Sequence, residues 1–132
     1  MSTFTATGSF SVSTTPQGQR SQVGDFNMGT YLVQKVFQGD LDATSKFEMH
    51  TAGTEDGAAC YIAMEAIAGT LQGKTGSFLL IHTGTMSKSG HSLVINVASG
   101  CSTGELKGME GKFTINQVGK EHFYVFEYSL PG

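Results

Sequence analysis

The chain has 132 residues, among them 18 glycines, nine phenylalanines, two prolines and no tryptophan, and it carries a net charge of -3. That length suits one domain with its own core and no need of disulfide or metal staples, and the glycine, β-branched and aromatic content favours short strands over helices. Arg20 is the only arginine beside seven scattered lysines, so no basic stripe is available to neutralise a run of phosphates, and nucleic-acid binding is set aside.

The N-terminal MSTFTATGSFSVSTT has neither a basic lead nor an apolar centre, and no stretch approaches the length of a membrane span. A cytoplasmic location is the expectation. In FTATGSFSV, Phe4, Phe10 and Val12 share one face with Ala6 and Gly8, which predicts a half-buried strand. TTPQGQRSQVGDFN at 14–27 reads as a polar loop, and GTYLVQKVFQ at 29–38 as a second strand. Residues 40–50 divide cleanly: Leu41, Ala43, Phe47 and Met49 on one side, Asp40, Asp42, Thr44, Lys46, Glu48 and His50 on the other. After the loop TAGTEDGA, CYIAMEAIAGTLQ is apolar on both faces. Its AMEAIA has helical propensity, but the neighbouring SFLLIHTG, HSLVINVA, GKFTINQV and EHFYVFEYSL are short, β-branched or aromatic and punctuated by glycine, so strand is preferred. A short helix around 20–28 or 51–57 stays open.

Seven or eight closely spaced strands predict a single all-β domain over residues 1–132, an antiparallel barrel or sandwich. Apolar residues on both faces near 58–68, 77–83 and 122–128 suggest that part of the outer wall is covered, by another subunit in a homo-oligomer or by the chain's own loops.

AGTLQGKTGSF at 68–78 fits a relaxed phosphate-binding loop, with Ala68 first and Gly73, Lys74 and Thr75 last. Such a loop needs a helix behind it to present its N-terminus to the anion. Here GSFLLIHTG follows, which is strand-like, so nucleotide binding is rejected. GTLQGKTGSF and GELKGMEGKF, at 69–78 and 104–113, share G-x-L-x-G-x-x-G-x-F without the Lys-Thr pair. Both therefore read as hairpins. A two-residue turn between Gly73 and Gly76 sets Leu71 opposite Phe78, and the second copy sets Leu106 opposite Phe113. A three-residue turn with a bulge would shift that pairing by one.

GDL at 39–41, YIAMEAIAGTLQGKTGSFLLIHTG at 61–84, STGELKGMEG at 102–111 and the closing YVFEYSL resemble a bacterial family of small proteins classed as a domain of unknown function. The resemblance implies an antiparallel β-barrel of about eight strands like that of allene oxide cyclase. Lys74 stands where that family usually has arginine, and SGCS replaces a simple Ser-Gly run. The family brings architecture and no established activity.

Under the two-residue turn, Glu65 and His82 are diagonal neighbours on one face, with Tyr61 further along. A carboxylate beside a histidine supports it as a base, and burial raises a carboxyl pKa, so Glu65 and His82 are the candidate catalytic pair. Tyr61, Glu65, Phe78 and His82 are the candidate ligand-binding set. An ordinary structural hydrogen bond or ion pair between Glu65 and His82 is the competing reading. Lys46, Glu48 and His50 read as a solvated outer face, and His91 and His122 stand alone. No spacing calls for a metal or a cofactor. Cys60 and Cys101 lack CxxC spacing and read as free thiols, a disulfide between them being unforced. Ser102 and Thr103 in GCSTGEL have no base beside them and read as a tight connection. The function expected is binding of a small, largely apolar ligand in the barrel. The alternatives are a cofactor-free isomerase or cyclase using Glu65, or an interaction module with a filled barrel.

Overall fold

Alternation of inward and outward side chains carries most of this chain into strand. The computed structural model describes residues 2–132, and among them there are nine strands and no helix. They are β1 (Ser2–Val23), β2 (Phe26–Gly39), β3 (Leu41–Gly53), β4 (Ala59–Leu71), β5 (Lys74–Ser87), β6 (Gly90–Val97), β7 (Thr103–Gly104), β8 (Glu110–Val118) and β9 (Glu121–Leu130). β1 to β6 pair antiparallel in succession, β6 pairs with β8, β8 with β9, and β9 pairs back onto β1. Eight strands thus close an up-and-down barrel, as expected, and β7 lies outside the ring against the start of β5.

The polar segment at 14–27, expected to be a loop, is instead the far end of the β1–β2 hairpin, which turns at Gly24 and Asp25. β1 pairs with β9 only as far as Phe10, so Ser11–Val23 runs on with β2 as an arm. Its side chains are exposed. With no core to face, its sequence has no reason to alternate, and backbone pairing to β2 alone keeps it extended.

The turn after β4 also differs from expectation. Gln72 and Gly73 occupy it, with φ of 47° and 87°, so Leu71 faces Lys74 and Ile67 faces Phe78. Two consecutive positive φ values suit a two-residue hairpin turn whose twist matches the strands. Gly76 serves a different purpose: a Cβ there would stand 2.3 Å from the Thr103 carbonyl oxygen, so its missing side chain admits β7. The second copy of the motif is not a hairpin. Leu106 N–H donates to Thr103 O at 3.2 Å, Met109 N–H donates to Leu106 O at 3.2 Å, and Phe113 faces Phe126. Leu106 and Met109 are both 1% exposed and join the main core. The copies share buried leucines and turn glycines, but the second folds as a compact turn that packs into the core.

The inner face falls into two apolar regions. Phe37, Ile67, Leu71, Phe78, Phe113, Tyr124 and Phe126 belong to the larger cluster, in which Phe78 stacks on Phe126 at 5.5 Å and Phe113 on Tyr124 at 5.4 Å. Val33, Phe47 and Ala63 form a second cluster toward the arm, with Met49 against it. Between them lies a polar layer.

Candidate functional site

Period two puts Tyr31, Val33, Lys35 and Phe37 on one face of β2, Ala43, Ser45 and Phe47 on one face of β3, and Tyr61, Ala63, Glu65 and Ile67 on one face of β4. On β5 the same parity gives Phe78, Leu80, His82 and Gly84. All these faces turn into the barrel. Because β2, β3, β4 and β5 are successive neighbours in the ring, Lys35, Ser45, Glu65 and His82 converge.

Glu65 is fully buried at the centre of this layer. Its Oε1 accepts from Lys35 Nζ at 3.2 Å and from His82 Nε2 at 2.8 Å, and its Oε2 accepts from Ser45 Oγ at 2.6 Å. Burial alone would raise the carboxyl pKa. The His82 hydrogen bond, the Lys35 charge and the Ser45 hydroxyl together outweigh burial and hold it below the ordinary value. An ionised carboxylate only accepts, so Nε2 of His82 carries the proton and a neutral ring keeps its lone pair on Nδ1. Nδ1 takes no part in the bonds to Glu65, and it is not among the fully buried polar atoms left without a partner, of which Ser102 Oγ is the one found among the described residues. The imidazole stacks on Phe47 at 5.5 Å, and Lys35 Nζ stands 4.9 Å from the centroid of Phe10 and 5.3 Å from that of Phe47. Four polar side chains thus form a hydrogen-bonded unit walled by aromatic rings.

The expected diagonal contact between Glu65 and His82 is present, although the hairpin register differs. His82 faces Ala63, and Glu65 faces Leu80. Tyr61 lies one inward step beyond His82 toward the arm, opposite Gly84, and its ring fills the space that a Cβ at Gly84 would need. Burial pushes its phenol pKa up. Phe78 lies on the opposite side of Glu65, 2% exposed within the aromatic core. Tyr61 and Phe78 therefore flank the polar layer and do not join it.

Lys35 and Ser45 are missing from the sequence-derived set. The alternation of Val33, Lys35 and Phe37, and of Ala43, Ser45 and Phe47, would have marked both as inward-facing. Lys46, Glu48 and His50 are exposed on the outer wall, and His50 Nδ1 lies 3.3 Å from Thr30 Oγ1. His91 is exposed, and His122 packs against Phe10 in a tilted arrangement with ring centroids 5.2 Å apart. Cys60 and Cys101 are free and exposed. Ser102 is buried, its hydroxyl unpartnered among the described residues. No cluster of three His, Cys, Asp or Glu residues is placed to hold a metal among the described residues, and none of their helices could cross a membrane, there being no helix.

Residues 6–128 match the family model of a protein of unknown function, DUF3224. The crystal structure of a DUF3224-family protein of unknown function from Shewanella oneidensis MR-1 superposes with a TM-score of 0.91 at 35% identity, over 99% of this chain and 100% of that one. No curated protein matches the chain. A family match over nearly the whole chain, joined to the same barrel in a relative, places this protein in the DUF3224 family.

Proposed function

We propose that the half of the barrel interior nearest the arm binds a small, largely apolar molecule bearing one polar group, and that His82 receives that group. The observation that carries this reading is the pairing of His82 Nε2 with buried Glu65, which leaves the ring's other nitrogen outside the polar layer's hydrogen bonds. A buried ion pair adds little net stability compared with apolar packing of the same volume, so a charged layer inside an otherwise apolar barrel fits a recognition role. Half-buried Met49, Tyr61, Leu93 and Ile115 on the inner face supply apolar contact nearby. A ligand O–H would donate to Nδ1, while Lys35 and Ser45 keep Glu65 ionised and the imidazole oriented.

The same bond supports a second reading, a cofactor-free isomerase or cyclase. In it Nδ1 of His82 takes a proton from the substrate and Glu65 steadies the resulting imidazolium, so Glu65 acts through His82. Native mass spectrometry of freshly purified protein, with thermal-shift screening of small hydroxylated apolar compounds, tests both. Compounds that stabilise the wild type but not His82→Ala support binding at this site, and their conversion to an isomer separates enzyme from carrier. Equal stabilisation of a folded His82→Ala would refute the assignment.

A further inference from the structure

Most of the ladders that close the ring run out to the arm end, reaching Val23–Phe26, Asn27–Gly53, Gly53–Ala59, Ala59–Met86, Ser87–Gly90 and Val118–Glu121. Two stop short. β6 pairs with β8 only at Asn96 and Lys112, and β9 pairs with β1 only as far as His122 and Phe10. The end of the β8–β9 hairpin, residues 114–121, is therefore a two-stranded tongue with a strand partner on neither flank. Along it only Ile115 is even half-buried. Its backbone groups toward both gaps are left to water, and a segment held by few hydrogen bonds and little buried surface opens at low cost. The root of the tongue is fixed: Phe113 is buried, faces Phe126 and stacks on Tyr124.

The two gaps differ. At the β9–β1 gap His122 packs against Phe10, whose ring also lies against Phe37 and Lys35 Nζ, so that flank is tied to the core. At the β6–β8 gap the register of Asn96 and Lys112, carried on without a slip, would set Ile95 opposite Phe113 and Leu93 opposite Ile115. Ile95 and Phe113 are buried, whereas Leu93 and Ile115 are half-buried and rest on the same core. On the other side of β6, Ile95 faces His82, and Leu93 faces Gly84, whose vacant Cβ space the Tyr61 ring fills. Parting Leu93 from Ile115 thus opens the barrel wall one inward step from the row of His82. The same register would pair Val94 with Thr114 and Ser92 with Asn116, and no proline on either strand bars that ladder. We infer that residues 114–121 are a flap and that the β6–β8 seam is the door to the proposed binding site. It opens by parting Leu93 from Ile115 and shuts by lengthening the ladder from Asn96–Lys112 toward Val94–Thr114. The door rests on the binding reading above, and the flap stands without it.

Methyl relaxation dispersion on the free wild-type protein tests the flap. The methyls of Leu93 and Ile115 are expected to show exchange on the microsecond-to-millisecond scale of lid motions, and those of buried Ile67 and Leu71 to stay flat. Flat profiles at Leu93 and Ile115 would overturn the inference. The door is tested by joining the seam with Leu93→Cys/Ile115→Cys in a Cys60→Ser/Cys101→Ser background, which removes the free thiols. Naphthol, an apolar ring system with one O–H, is the probe, followed by stopped-flow fluorescence. The oxidised, cross-linked protein should take it up at least about tenfold more slowly than the same protein reduced. Equal rates would refute the door and leave the binding site standing, whereas His82→Ala taking up naphthol like the wild type would refute the site and leave the flap to the methyl profiles. If the cysteine variant fails to fold or to oxidise, or the wild type takes up no naphthol, those profiles decide alone.

Discussion

Replacing Glu65 by Gln keeps the shape of the side chain and removes its charge. Three donors converge on the native carboxylate, from Lys35 at 3.2 Å, His82 at 2.8 Å and Ser45 at 2.6 Å. An amide has one acceptor oxygen in place of two, and Lys35, only 6% exposed, loses its counter-ion. Removing one partner of a buried pair costs about 3–5 kcal/mol because the remaining charge is stranded. The rings of Phe10 and Phe47 beside Nζ recover part of that, at about 0.5–2 kcal/mol for a cation over an aromatic face. The expected net loss is about 3 kcal/mol, or a fall in Tm of roughly 10 °C for a domain of this size. Removing Lys35 as well abolishes the stranded charge. The double variant Lys35→Met/Glu65→Gln should therefore be more stable than Glu65→Gln alone, with a coupling energy of about 2 kcal/mol in the double-mutant cycle. Urea unfolding followed by circular dichroism at neutral pH, with m-values checked for constancy, gives all four free energies. A Glu65→Gln loss below about 1 kcal/mol, or single-mutant costs that simply add, would show that Glu65 does not hold the Lys35 charge.

The same layer sets an acid dependence. Glu65 is held below its ordinary value of 4.5 in the fold and returns to it on unfolding, so its contribution is present above that value and is lost as pH falls through the folded one. The urea midpoint of the wild type should fall more steeply below pH 4.5 than that of Glu65→Gln, and parallel curves would refute this linkage. Tyr124 Oη accepts from the buried Leu41 N–H at 2.8 Å and donates to Gln38 O at 2.9 Å. Tyr124→Phe strands that N–H and should cost about 1–3 kcal/mol in urea unfolding. In the β4–β5 turn, Gly73→Ala should cost about 1–2 kcal/mol, since Gly73 has φ of 87°. Exposed Lys74→Ala should stay within about 0.5 kcal/mol, and ATP should not shift the Tm of the wild type, as a hairpin without a helix behind it requires.

Alternation in the sequence was enough to assign faces. It put Leu41, Ala43, Phe47 and Met49 on the inner side of β3, and Glu65, His82 and Tyr61 on one common face. The diagonal pairing of Glu65 with His82 also tolerated an error in the turn. With Gly73 paired to Gly76, His82 would face Ile67; with Gln72 and Gly73 in the turn, it faces Ala63. Glu65 lies midway between those two positions, and an even slip leaves every side chain on its own face.

What the sequence left undecided was everything that depends on distant strands meeting. Lys35 and Ser45 had the right parity, but parity names a face and no neighbour. Only the closed ring, with β2 and β3 laid beside β4 and β5, turns four separated polar residues into one hydrogen-bonded layer. The repeat in GELKGMEGKF misled for the same reason, because whether a glycine-rich turn becomes a hairpin depends on the strand available beside it, here β5 for Thr103 and Gly104 and β9 for Phe113. Side-chain period is a local property of the chain, whereas register and ring closure are set by hydrogen bonds between segments far apart in it.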